Sequence, residues 1–313
     1  MTFPAVEAFR GAADLIRIVG HRGARGIMPE NSMLGFEFAL SSDVSLLEFD
    51  VVMTSDMVPV ITHNHRLHAA TFRGPDGKFI TTEPEIAELT WDEIQRFDIG
   101  KLDGQSAYGQ RFREQVQING LRVPRLHDLL SCVAQPKYST ACLMLEIKSD
   151  PVRTKNPTYR DQLITIIANM VRNAGLAQRT LMHSFDWELL AACQSIAPDL
   201  PVSYLTELPD NTDAIDEESS QSVAPDFSAN PDETPKRVHD AGGRIWCPYV
   251  HDITPQMMEN ARSLGLVVAV WTVNDIADID RMIDLGVDAI VTDYPGRVQR
   301  RLDDRGYRWM DAC

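Results

Sequence analysis

The sequence predicts an α/β fold, a (β/α)8 TIM barrel with a hairpin after its second strand and an inserted cap segment before its third. Three observations predict it. Short apolar runs rich in β-branched residues recur along the chain at 16–20, 46–53, 143–148, 180–184, 202–206, 244–247, 267–272 and 289–292. Helical patterns separate most of them, and strands that alternate with helices pair in parallel through crossovers. The 313 residues hold a barrel of about 250 residues with room for an insertion. An open doubly wound sheet is disfavoured by the strand count and by the first turn, where HRGARG stands in place of GxGxxG.

The elements follow in order. The first strand, 16–20, leads into a loop whose Asn31-Ser32 pair signals the start of a helix over 32–40. The second strand is 46–53. The run at 58–62 is separated from it by only a few residues, too short for a parallel crossover, so it returns antiparallel as a hairpin. A turn centred near Ser55 places His63 level with Leu47 and Glu48. From about 65 to 123 the barrel pattern stops, and this stretch reads as an insertion or cap with a short helix signal at 90–97. The remaining strands alternate with helices expected at 160–173, 187–195, 234–240, 255–264 and 275–285. The stretch 208–235 carries DNTDAIDEESSQS, is poor in apolar residues, and reads as a solvated, mobile linker on the catalytic face. Residues 1–313 thus read as one barrel domain.

Composition narrows the function. The apolar fraction of 44% fills a sizeable core. The net charge of −15 repels a nucleic-acid backbone, so no nucleic-acid partner is expected. An anionic substrate would need local cations or a metal. No run approaches the ~18 apolar residues of a membrane span, and the N-terminus lacks a basic start followed by an apolar core. The cysteines, Cys132, Cys142, Cys193, Cys247 and Cys313, are odd in number and form no CxxC, which points to reduced thiols in a cytoplasm.

Functional residues of such barrels stand at the C-terminal ends of strands. His21, Arg22 and Gly23 follow the first strand. Glu48 and Asp50 stand at i and i+2 on the second, so both side chains face the mouth. Glu146 and Lys148 repeat the arrangement on the next barrel strand. Carboxylates converging from adjacent strands point to a hard divalent ion such as Mg²⁺ or Ca²⁺; a single Glu–Lys or Glu–Arg pair would instead be a structural ion pair. His21 and His63 are the candidate proton carriers. His65, His68, His127, His183, His239 and His251 read as structural. A zinc site from His63, His65 and His68 lacks any supporting cysteine-rich or HExxH spacing.

Taken together, HRGxxGxxPENS, LEFDVVMTSDMVPVITHN, LEIK, VWTVN and VTDYP strongly resemble the glycerophosphodiester phosphodiesterase family, from about Val19 to Arg297. The resemblance implies a metal-dependent barrel enzyme that splits glycerophosphodiesters into sn-glycerol 3-phosphate and an alcohol. It implies His21 and His63 as the acid/base pair and Glu48, Asp50 and Glu146 as ligands of one divalent cation. Arg22 and Lys148 match phosphate contacts, and Trp271 a wall of the glycerol pocket. Glu30 and Asn31 match the motif at a helix start, where backbone N–H groups hold anions. The chain departs from the family at Asn64, where Asp is usual; an amide orients a histidine but stabilises its charged form less. The nucleophile, water or the glycerol 2-hydroxyl, stays open. So do two other readings: a lysophospholipase D-like or phosphoinositide-type phosphodiesterase, and a catalytically inactive phosphodiester-binding protein.

Overall fold

The computed structural model describes residues 3–209 and 223–311. Its core is a closed ring of eight parallel strands with helices between them, the predicted TIM barrel. The strands are β1 (Arg17–Gly20), β2 (Leu46–Met53), β4 (Cys142–Ile147), β5 (Thr180–Ser184), β6 (Val202–Thr206), β7 (Ile245–Pro248), β8 (Val267–Val270) and β9 (Ala289–Thr292). The ring closes where β1 pairs with β2, Val19 opposite Leu46, and with β9, Gly20 opposite Thr292. The antiparallel strand β3 (Pro59–Ile61) hangs on the end of β2.

Alternation along each strand sorts its residues by face. Inward positions near the strand starts are apolar: Val19, Leu46, Cys142, Met144, Leu181, Ile245, Val267, Ala269 and Ala289 fill the barrel interior. The bottom is sealed by α1 (Pro4–Glu7), whose Ala5 and Val6, with the following Phe9, pack into the same cluster. Outward residues such as Leu47, Phe49 and Val51 meet the helices. These include α2 (Met33–Ser41), α6 (Pro157–Asn173), α7 (Trp187–Ile196), α8 (Thr234–Asp240), α9 (Pro255–Ser263), α10 (Ile276–Leu285) and α11 (Pro295–Asp304). With the bottom filled by apolar side chains, the polar inward residues are left at the top: Glu48 and Asp50 on β2, Glu146 on β4, His183 on β5.

The inserted stretch contains two short helices, α3 (Trp91–Ile94) and α4 (Ala107–Arg111). Thr90 caps α3 in a capping box with Glu93. The insertion has a small core of its own, with Leu67, Phe72, Ile86, Ile94, Ile99 and Val123 packed on Val52 and Val60 of the hairpin. Helix α5 (Leu126–Val133) then leads back to β4; neither it nor α11 was expected from sequence.

Four expectations are corrected. The hairpin register is displaced by two residues. The Thr54 N–H donates to the Val58 carbonyl at 3.2 Å, and Val51 pairs with Ile61. The turn is therefore centred on Asp56, with Met57 in the left-handed region at φ 60. Thr62 N–H donates to Asp50 O at 3.1 Å, which places His63 near Phe49 and the level of Asp50 rather than near Leu47. Strand β8 ends at Val270, because its pairing with β9 ends at Val270–Ile290, so Trp271 and Thr272 lie beyond it. Lys148 likewise stands one residue past β4, its N–H donating to Val51 O at 3.1 Å. The acidic run 210–222 lies outside the described residues. The flank after it is not solvated linker throughout: Phe227 is buried, its ring 5.2 Å from that of Trp187.

Candidate active site

The loop after β1 brings several of the sequence-predicted residues together. It is tightly wound: Arg22, Gly23 and Asn31 all have left-handed backbones, at φ 49, 86 and 51. Gly23 is required there, since a Cβ would come within 2.8 Å of the Gly35 backbone in α2. For Arg22 and Asn31 the conformation is sparsely populated and must be held by partners. Arg22 is held by its backbone N–H, which donates to Glu48 Oε2 at 3.0 Å, and by its guanidinium, with Nη1 on Glu30 Oε1 at 3.0 Å and Nε 3.2 Å from Asp50 Oδ2. Asn31 is held by its amide, which donates to Asp50 Oδ2 at 2.8 Å. Ser32 then caps α2 through the Gly35 N–H.

Glu48, Asp50 and Glu146 converge, each offering one carboxylate oxygen within 4.8 Å of those of the other two. Lys148 Nζ reaches Glu146 Oε1 at 2.9 Å and Asp50 Oδ1 at 3.5 Å. Electrostatics divides the three acids. Burial pushes Glu48 well above the usual carboxylate range, and Asp50 and Glu146 beside it add to the effect. Burial also pushes Glu146 up to about 6, against the pull of Lys148. Burial would raise Asp50 too, but Arg22, His63, Lys148 and the Asn31 amide outweigh it and hold the carboxyl far below its ordinary value. The Nε of Arg22 is buried and has no hydrogen-bond partner among the described residues; its contact with Asp50 is ionic and misaligned.

His21 follows β1 directly, its N–H bonded to Thr292 O across to β9. Its Nδ1 donates to Asp293 Oδ1 at 2.7 Å, and its Nε2 lies 3.7 Å from Glu48 Oε2. Burial lowers its pKa; Asp293 opposes the shift and Arg25 adds to it. Asp293 is fully buried and is also gripped by Arg25, Nε at 2.8 Å and Nη2 at 3.0 Å, and by the Asn274 amide at 2.7 Å. His63, half-buried, sets Nδ1 against Asn64 Oδ1 at 2.5 Å. Trp271 stands on the opposite side of the mouth. Its Nε1 donates to Cys247 O, and its ring lies 5.3 Å from Phe185 and 5.4 Å from Tyr249.

Sequence reasoning assigned no role to Asp293, Arg25 and Asn274, which frame His21, although Asp293 and Asn274 stand in the VTDYP and VWTVN motifs at strand ends. It also missed Tyr108. The structure turns Glu30 and Asn31 toward Arg22 and Asp50, where they hold protein groups.

A sequence model of the glycerophosphoryl diester phosphodiesterase family matches residues 21–297. The chain belongs to this family. Its fold superposes with a TM-score of 0.90 on a Silicibacter pomeroyi crystal structure provisionally named a glycerophosphoryl diester phosphodiesterase, at 45% identity over 99% of this chain and 100% of that one. The glycerophosphodiester phosphodiesterase of Bacillus subtilis is 27% identical over 94% of this chain and 90% of its own length. At 20% identity the fold alone is shared with an Oleispira antarctica phosphodiesterase solved with its product sn-glycerol 3-phosphate (TM-score 0.66, 92% of this chain and 97% of that one). Enzymes of the family hydrolyse glycerophosphodiesters. Among the described residues no helix is long and apolar enough to cross a membrane.

Proposed function

We propose that this chain hydrolyses small glycerophosphodiesters to sn-glycerol 3-phosphate and an alcohol, with Glu48, Asp50 and Glu146 holding one divalent cation, Mg²⁺ or Ca²⁺. The observation that carries the reading is the buried carboxylate cluster meeting Arg22 and Lys148 beside His21. The residues fit a hard cation. All three offer oxygen donors, and burial, with the neighbouring carboxylates, pushes Glu48 and Glu146 upward despite Arg22 and Lys148. When bound, the cation supplies positive charge against the phosphodiester oxygens as negative charge builds on them.

The chain's own residues divide the remaining work. Arg22 and Lys148 hold the phosphate, and the unpartnered Nε of Arg22 suits an incoming oxygen. Glu30 and Asn31 support substrate binding by fixing Arg22 and Asp50. Trp271 walls the glycerol end. His21 and His63 move the two protons, one to the leaving alcohol and one from the nucleophile. Each ring is oriented through Nδ1, His21 by Asp293 and His63 by Asn64. We further read residues 1–313 as one catalytic domain with an insertion at about 65–123. The buried free thiols of Cys132, Cys142, Cys193 and Cys247 support a cytoplasmic setting.

The test is turnover of glycerophosphocholine by the full chain and two variants. His21→Ala and His63→Ala should each lose at least ~10²-fold in kcat, the usual scale of acid–base catalysis. Near-normal turnover in either would remove that residue from the mechanism.

A further inference from the structure

The inserted segment does more than cover the barrel's edge. Its helix α4 places Tyr108 against the loop after β1, and one phenol oxygen there meets three charged partners. The hydroxyl donates to Glu30 Oε2 in a short bond. It accepts from Arg25 Nη1 at 3.3 Å and lies 3.5 Å from Arg22 Nη1. One donor and two acceptor sites are all that a phenol has. The two guanidinium groups are buried and carry like charge, so something must hold them side by side. Each leads to a different half of the site: Arg22 to Glu48 and Asp50, Arg25 through Asp293 to His21.

The rest of the segment bolts the same loop down. The Tyr108 ring stands edge-on to His68 at 5.1 Å and to Phe112 at 5.3 Å, and Arg25 lies over Phe112 at 4.5 Å. Gln115 donates to Arg25 O at 2.7 Å, and Val116 N–H to Ile27 O at 2.9 Å.

We propose that Tyr108 is a positioning residue: from the inserted segment it sets the guanidinium of Arg22 for phosphate binding, and the docking of α4 completes the catalytic mouth. The inference rests on the reading above that Arg22 contacts the phosphate.

The test compares the full chain with Tyr108→Phe, Arg22→Lys and the double variant. It follows glycerophosphocholine turnover, binding of sn-glycerol 3-phosphate by calorimetry, and Tm. Phenylalanine keeps the ring contacts and removes only the hydroxyl. Tyr108→Phe should lower kcat/KM and product affinity roughly tenfold, the scale of a hydrogen bond to a charged group, with Tm within a few degrees of wild type. In the Arg22→Lys background the same change should cost less than about twofold, because coupled residues are not additive. A merely structural role would lower both backgrounds equally, and that result would overturn the proposal. So would unchanged kcat/KM in Tyr108→Phe. If wild type binds sn-glycerol 3-phosphate but turns nothing over, the proposed reaction fails, and the calorimetric comparison still decides for or against Tyr108. If wild type binds no sn-glycerol 3-phosphate, both readings fall.

Discussion

Three carboxylates, Glu48, Asp50 and Glu146, stand at the top of the barrel, where water scarcely reaches them. Charge buried without compensation is costly, and the cost shows in the upward shifts of Glu48 and Glu146. Glu146 is raised from 4.5 to about 6, so the cation-free folded chain holds a proton there more tightly than the unfolded chain does. That contribution to stability is present below 4.5 and is lost as pH rises through about 6. Asp293 behaves oppositely: burial would raise it, but Arg25 and His21 hold it far below 3.8, so its contribution persists above that value and fades only in strong acid. A cation on the triad must displace the protons. Excess Mg²⁺ should therefore raise Tm little near pH 5 and clearly more near pH 7, as read by thermal unfolding with and without the ion. A gain of equal size at both would mean that the ion binds elsewhere.

At the scale of elements, the barrel strands were legible because each is a run of β-branched and apolar residues between turn signals. Their ends were not, because an end is set by the partner strand: β8 stops where β9 stops pairing with it. The hairpin was legible from its short connection, but its register was not. Thr54 bonds both ways with Val58, its Oγ1 accepting from the Val58 N–H at 2.9 Å, and this moves the turn centre to Asp56. The insertion was legible only as a break in the pattern. Its helices are a turn or so long, and such pieces form through tertiary packing rather than propensity. Here that packing is the small cluster around Ile94, itself fully buried. Ile94→Ala should cost ~2–5 kcal/mol by removing core contacts and leaving a cavity, measured by denaturant unfolding. A loss under about 0.5 kcal/mol, the scale of a surface change, would show that the cluster does not hold the insertion.

For the whole molecule, the net charge of −15 is at odds with an anionic substrate. The mouth does not resolve this with free cations: Arg22, Arg25 and Lys148 are each already paired with carboxylates. The cation proposed at the triad would supply the positive charge that the mouth lacks. The meeting of Glu48, Asp50 and Glu146 at the mouth was legible because strand alternation turns all three inward. The sequence did not carry the Arg25–Asp293–His21 chain, which joins the first and last strands only when the ring closes. Nor did it carry Tyr108, whose partners lie some eighty residues upstream, on a loop that packing alone brings near. The most direct test measures release of sn-glycerol 3-phosphate from glycerophosphocholine by the full chain, with EDTA, and then with Mg²⁺ or Ca²⁺ restored. Release should stop on chelation and return with the ion. Full release in EDTA, or none from a folded chain with either ion present, would contradict this expectation.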